Sequence, residues 1–338
     1  MTVYIERKMF MHTYERNALA YYSSIDKKCP ALARHSRNLN ICCLENKLDP
    51  CYHRDSIIAT MQKLLLRKNK ANILLTGAAG CGKTALAEGL ATEITLRKLK
   101  NMQTFLLLNR AYKKDLRAWE SGDQTQPAPV PPQMPTSLLS ECVISELSLN
   151  DLVSGTRYRG EFEEKIGDII RECKRNPEVI LFIDEVHHAV RVGSAEGCVS
   201  AAQILKPALA RNEVRVIGAT TTQESQELLA DHALARRFSE IEVPELSGAD
   251  AIDTARRILD HYCAYHNIQT NVSAETLLSQ VQFHLPNTVF PDNFINLVDE
   301  TLAGAVFDGL SQVGLAAFSQ TLSRLSGHLI ICTETQAS

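Results

Sequence analysis

Short, largely apolar runs of strand length recur along the chain, at Asn72 to Thr76, Cys142 to Glu146, Val179 to Asp184 and Val214 to Ala219, separated by stretches with helical spacing. A run without alternating polar positions is the pattern of a strand buried on both faces, and helical connections between such strands predict a parallel sheet covered by helices. From Ser247 to about Phe307 the strand pattern stops and only helical spacing continues, which predicts a small all-helical domain after an α/β one. One stretch fits neither pattern. Gln124 to Pro135 carries five prolines within nine residues, so it is neither helix nor central strand and is expected to be an extended surface segment.

Two of the apolar runs end in chemistry. After NILLT come Gly77, Ala78, Ala79, Gly80, Cys81, Gly82, Lys83 and Thr84, a complete G-x-x-x-x-G-K-[ST] string, followed by the good helix former TALAEGLATEI. Strand, glycine loop and helix in that order make a phosphate cradle. Glycines let backbone N–H groups turn inward at a helix N-terminus whose dipole favours anions, Lys83 reaches the β and γ phosphates, and Thr84 is placed for Mg²⁺. The run VILFI ends in Asp184 and Glu185. Ligands of parallel sheets bind beyond the carboxyl ends of the strands, so Asp184 suits the Mg²⁺ shell and Glu185 the polarisation of an attacking water. These are the Walker A and Walker B patterns of an ATPase. Cys81 admits two readings, a small apolar filler and a thiol activated by the helix N-terminus.

Composition adds limits. Lys and Arg number 36 against 39 Asp and Glu, a net charge of −3, so the chain as a whole does not advertise nucleic acid or an anionic membrane. No apolar run approaches the length of a membrane helix, the first thirty residues lack a signal-peptide core, and the ten cysteines contain no Cys-x-x-Cys pair, all of which predicts a cytoplasmic protein with reduced thiols. One local exception stands out. Between Leu96 and Leu138, Arg97, Lys98, Lys100, Arg110, Lys113, Lys114 and Arg117 are interleaved with apolar residues and Trp119. This stretch is expected to be a solvated extension of the preceding helix, with a partner-docking helix as the other reading.

Further strings carry a resemblance. GTRYRGEFEE from Gly155, LFIDEVHH, AEG with LKPALAR, IGATT and ALARRF resemble, in order and spacing, the first ATPase module of Clp-type AAA+ unfoldases and disaggregases over roughly residues 47 to 305. The resemblance implies an AAA+ P-loop domain at 47–246, with an insertion at about 97–138, a helical lid at 247–307, an N-terminal extension at 1–46 that is partly ordered or helical, and a C-terminal tail at 308–338. It further implies Thr221 as the sensor that helps place the water, Arg236 and Arg237 as arginine fingers reaching a neighbouring subunit, and Arg157, Tyr158, Arg159 and Gly160 as a pore loop gripping substrate. The pattern is not followed everywhere. Ala78 and Ala79 replace an acidic residue and a proline, Tyr52 and His53 replace the Ile-Gly before Arg54, and Phe290 to Asn293 contains no arginine.

Together these readings predict an ATP- and Mg²⁺-dependent chaperone-like unfoldase, acting as a homo-oligomeric, hexameric ring that threads protein substrate through its pore. A second reading is an ATP-switched assembly scaffold that binds a partner without threading it, and a third is a nucleic-acid-directed factor supported only by the basic insertion. The short flanks predict a single-tier ring. Neither a membrane nor a peptidase partner is expected.

Overall fold

The computed structural model describes residues 2–121, 127–135, 137, 139–154, 159–191, 201–211 and 213–328. In chain order the elements up to the end of the sheet are α1 (Thr2–Lys28), α2 (Pro30–His35), β1 (Ser36–Asn38), α3 (Leu39–Leu44), α4 (Asp55–Leu65), β2 (Asn72–Thr76), α5 (Lys83–Ser121), β3 (Val143–Leu147), α6 (Leu149–Ser154), α7 (Arg159–Arg175), β4 (Val179–Ile183), α8 (His188–Arg191), α9 (Ala201–Ala210), β5 (Arg215–Thr220), α10 (Thr222–Leu229), α11 (His232–Ala235) and β6 (Phe238–Glu242). The remainder is α12 (Gly248–His266), β7 (Gln269–Thr270), α13 (Ala274–His284), α14 (Asp292–Phe307), β8 (Gln312–Val313) and α15 (Leu315–Ser326). Packing divides the chain into two units, one of Met1–Cys51, Ser56–Leu75 and Thr84–Ile241, the other of Tyr52–Asp55, Thr76–Lys83 and Glu242–Ser338.

The four apolar runs form β2, β3, β4 and β5, the inner strands of a six-stranded sheet of order β1-β3-β4-β5-β2-β6. The expected parallel pairing is present from β3 to β4 to β5, with Ile144 opposite Ile180 and Leu181 opposite Val216. Every residue of β2 and β4 is buried, as strands covered on both faces require. Two edge strands carry no apolar signature. β1 is Ser-Arg-Asn, antiparallel to β3, and is held there by the Arg37 guanidinium, 2.8 Å from Glu146 on the neighbouring strand. β6 (FSEIE) keeps only Phe238 fully buried.

Residues before Lys47 contribute to this core. Ala18, Tyr22, Ile25, Cys29 and Leu32 join Val143, Leu147, Ile166 and Leu181 in one apolar cluster. Asn40, fully buried, accepts from the Ile144 N–H at 2.8 Å and donates to the Thr95 hydroxyl at 3.0 Å, so one amide ties α3 to β3 and α5. The basic stretch after Leu96 is a continuous part of α5, which runs 39 residues, about 58 Å at 1.5 Å per residue. Its base is clamped by Lys98, 2% exposed, whose ammonium lies 2.6 Å from the Glu141 carboxylate and 3.5 Å above the Tyr21 ring. The Tyr21 hydroxyl in turn donates to the Glu141 carbonyl. Glu141→Ala strands a buried cation and is expected to cost about 2–3 kcal/mol, somewhat below the full penalty because Glu141 is partly solvated. Urea unfolding checks it, and a loss within error of zero would show that Lys98 reaches water without its partner.

In the second unit α12 to α15 close on a core that includes Ala255, Leu277, Val281, Phe294, Leu297, Leu302, Phe318 and Leu322. The helical domain expected to end near Phe307, with a tail from 308, instead continues, because Phe318 and Leu322 of α15 pack into the same core. Beyond the helices the unit holds a parallel pair of two-residue strands, β7 and β8, too short to leave a periodicity. No helix among the described residues is long and apolar enough to cross a membrane.

Candidate nucleotide site

The glycine loop belongs to the second unit. Gly80 and Gly82 have φ of +82° and +94°, in the left-handed region that side chains disfavour. Gly80 is doubly constrained, because a Cβ there would lie 2.7 Å from the Cβ of Asp292. Ala78 and Ala79 are exposed on the outer turn, so replacing the acidic residue and the proline leaves the backbone path free. Lys83, 9% exposed, turns back over the loop and donates to the carbonyls of Gly77 at 3.0 Å and Ala78 at 2.8 Å. An ammonium held only by neutral carbonyls is available for stronger, charge-assisted bonds to phosphate oxygens. The loop is strapped from below by Arg54, itself buried, which donates to the carbonyls of Cys81 at 3.0 Å and Pro244 at 2.8 Å. Cys81 is 1% exposed and burial pushes its thiol up, against the opposing pull of Lys83 and Arg54.

Thr84 opens the part of α5 that belongs to the first unit, and its hydroxyl donates to Asp184 Oδ2 at 2.6 Å. The other Asp184 oxygen accepts the Glu185 N–H at 2.9 Å. Glu185 has φ of +47°, and the next N–H, that of Val186, returns to the Ala219 carbonyl on β5 at 2.9 Å. This sharp turn leaves the Glu185 carboxylate exposed, with His188 Nε2 at 3.2 Å as its neighbour. A strained backbone that projects one carboxylate into solvent beside a second, anchored one is a pattern found at active sites.

Thr221 caps α10, accepting the Glu224 N–H at 3.3 Å and donating to the Glu224 carboxylate at 2.8 Å. Glu224 also lies 3.1 Å from Nε2 of the buried His187, whose Nδ1 meets the Thr220 hydroxyl at 2.9 Å. Thr221 is thus placed by a buried network behind it. Arg236 is exposed at the C-cap of α11 and Arg237 is half-buried beside it, and neither guanidinium bonds to another described residue. The Arg237 carbonyl accepts from Asn72 Nδ2 at 3.4 Å, while Asn72 Oδ1 accepts the Val216 N–H at 2.9 Å, which couples this turn to the strand leading into the loop. Arg157 and Tyr158 lie outside the described residues, and Arg159 and Gly160 open α7.

Tyr52 and His53 are engaged within the second unit. His53 lies 2.7 Å from Asp253 and 3.4 Å from Asp250, and the Arg257 guanidinium sits 5.5 Å from the Tyr52 ring centre.

Residues 73–245, just over half the chain, match the ATPase family associated with various cellular activities (AAA). The protein belongs to the AAA family. Within it, the chain is 36% identical over 280 residues to the chloroplastic chaperone protein ClpC2 of Arabidopsis thaliana, which covers 82% of this chain and 26% of that protein. It is 35% identical over 280 residues to the chaperone protein ClpB of Wolinella succinogenes, covering 82% of this chain and 28% of that one. The chain therefore spans about a quarter of the length of the curated relatives it matches. Among solved structures it is similar to a closed-state reconstruction of Hsp104 with ATPγS and FITC casein, with a TM-score of 0.67, 29% identity, and coverage of 88% of this chain and 45% of that one. The S. cerevisiae Hsp104–ADP complex gives a TM-score of 0.66 at 28% identity.

Arg54, Asn72 and His187 support the candidate residues from positions beside or within the motifs, His187 lying in LFIDEVHH. Glu224 did leave a signal, since Thr221-x-x-Glu224 spells a helix capping box.

Proposed function

We propose that this AAA protein is an ATP-hydrolysing motor that remodels or unfolds other proteins as a cytoplasmic homo-oligomeric ring, a hexamer by analogy with its relatives. The observation that carries the hydrolytic part is the 2.6 Å contact between Thr84 and Asp184, which pairs a hydroxyl from the first turn of α5 with a carboxylate just past the end of β4. Two oxygen donors of this kind suit a hard cation, so Thr84 and Asp184 are the residues to hold Mg²⁺, which when bound offsets charge on the phosphates. Lys83 and the loop N–H groups bind and orient the phosphates. Glu185 polarises the attacking water, Thr221 fixes that water from the strand end, and Arg236 and Arg237 reach the nucleotide of the adjacent subunit. Tyr158, between two arginines and before Gly160, grips substrate in the pore by its aromatic face.

The protein-remodelling part rests on the similarity to Clp chaperones and to Hsp104 with casein. Unfolded casein is expected to raise the ATPase rate several-fold while DNA leaves it unchanged. In Tyr158→Ala rings, basal ATPase and assembly should persist while the stimulation and the unfolding of a tagged protein are lost. Full unfolding activity in a well-assembled Tyr158→Ala ring would replace threading with an ATP-switched scaffold.

A further inference from the structure

The outer part of α5 takes no part in the nucleotide chemistry, yet its charge is strongly organised. Lys100, Arg110, Lys113, Lys114 and Arg117 are all exposed, and none of them forms an ion pair with a described residue. At 100° per residue the five fall within a sector of about 140° and extend over about 25 Å of helix. Met102, Phe105, Tyr112, Leu116 and Trp119 occupy the opposite side and are half-buried. Only Asp115 and Glu120 oppose the cations between residues 100 and 121.

A helix that merely met water would not place its cations in this way. Arg110 has Lys113 and Lys114 three and four positions on, and Arg117 stands four and three positions after the same two lysines. Each of these four like-charge pairs is destabilising on an isolated helix. The repulsion is relieved when anions lie along the stripe. The clamp of Lys98 on Glu141 and Tyr21 fixes the base of the helix, so the stripe is presented from a rooted support.

The stripe also selects among anions. Leu107, 57% exposed, and the half-buried Leu106 lie inside the cationic sector. A phosphate backbone offers these leucines nothing, whereas a polypeptide helix carries carboxylates at the same i, i+3, i+4 and i+7 repeat and apolar side chains between them. We propose that the outer part of α5 is a docking surface for an acidic, amphipathic helical segment of a partner protein. The complement is electrostatic along the stripe and apolar at Leu106 and Leu107.

A fluorescein-labelled synthetic helical peptide of Glu and Leu is expected to bind the full-length protein saturably, read by fluorescence anisotropy, with affinity that falls as salt is raised. The quadruple variant Arg110→Glu, Lys113→Glu, Lys114→Glu, Arg117→Glu should bind at least about tenfold more weakly at unchanged basal ATPase. The corresponding quadruple glutamine variant, which relieves the helix of its repulsion and keeps it folded, should show an intermediate loss. Absence of saturable peptide binding, equal affinity in the variants, or tighter binding of a thymidine oligonucleotide of matched charge would each overturn the proposal.

Discussion

Lys83→Ala is expected to remove nucleotide binding, with affinity for ATP falling by about a hundredfold to a thousandfold or more. The ammonium is nearly buried and its two contacts are the Gly77 and Ala78 carbonyls, which water can satisfy in its place. Folding therefore loses little. Binding loses both charge-assisted bonds that replace those contacts when phosphate oxygens enter, at about 1.5–3 kcal/mol each, and 1.4 kcal/mol is a factor of ten. The loop itself is expected to persist, because its path is set by the positive φ of Gly80 and Gly82 and by the strap from Arg54 to Cys81 and Pro244. Titration with a fluorescent ATP analogue, alongside a melting curve, separates the two effects. Parental affinity in a folded variant would mean that another cation holds the phosphates.

The features legible in the sequence are those in which one residue type answers one physical demand. Largely apolar runs became buried strands, parallel from β3 to β5, because a strand covered on both faces tolerates little else. The glycine loop was legible because only glycine enters the backbone conformations at positions 80 and 82 at little cost. The edge strand β1 was not, since Ser-Arg-Asn is recruited by its neighbour, through Arg37 and Glu146, and has no strand preference of its own. The supporting roles of Arg54, Asn72 and His187 were hidden for a related reason. Their partners include backbone carbonyls, an N–H group, a hydroxyl and the Glu224 carboxylate, 27 to 190 positions away, and such contacts leave no local pattern. The length of α5 was half legible. Its basic and apolar spacing is helical, but that the helix runs unbroken to Ser121 depends on the distant clamp between Lys98 and Glu141.

On the proposed reading Glu185 and the arginines of the ALARRF string serve a shared site from adjacent subunits, which mixing of variants can test. Glu185→Gln keeps the shape of the side chain and the turn at positive φ but removes the base, so ATP binding should survive and hydrolysis stall. Arg236→Ala should stall hydrolysis as well, by about a thousandfold or more, because a planar donor aimed at developing phosphate charge is lost. Among the described residues Arg236 is exposed and its guanidinium bonds to none of them, which is the state expected of a donor that acts on a neighbour. Mixing the two inactive proteins then tests direction. An interface is complete only where an Arg236→Ala subunit supplies Glu185 and a Glu185→Gln subunit supplies Arg236, and random assembly at equal amounts gives about one quarter of such interfaces in a closed ring. Recovery of ATPase toward about a quarter of the parental rate is the expected result, and the same experiment with Arg237→Ala assigns the finger to one arginine or to both. Subunit exchange, followed by energy transfer between labelled chains, shows whether mixed rings have formed. Rings that mix and stay inactive would place both arginines outside the neighbour's site, where the turn they occupy, tied by Asn72 to β5, would be structural.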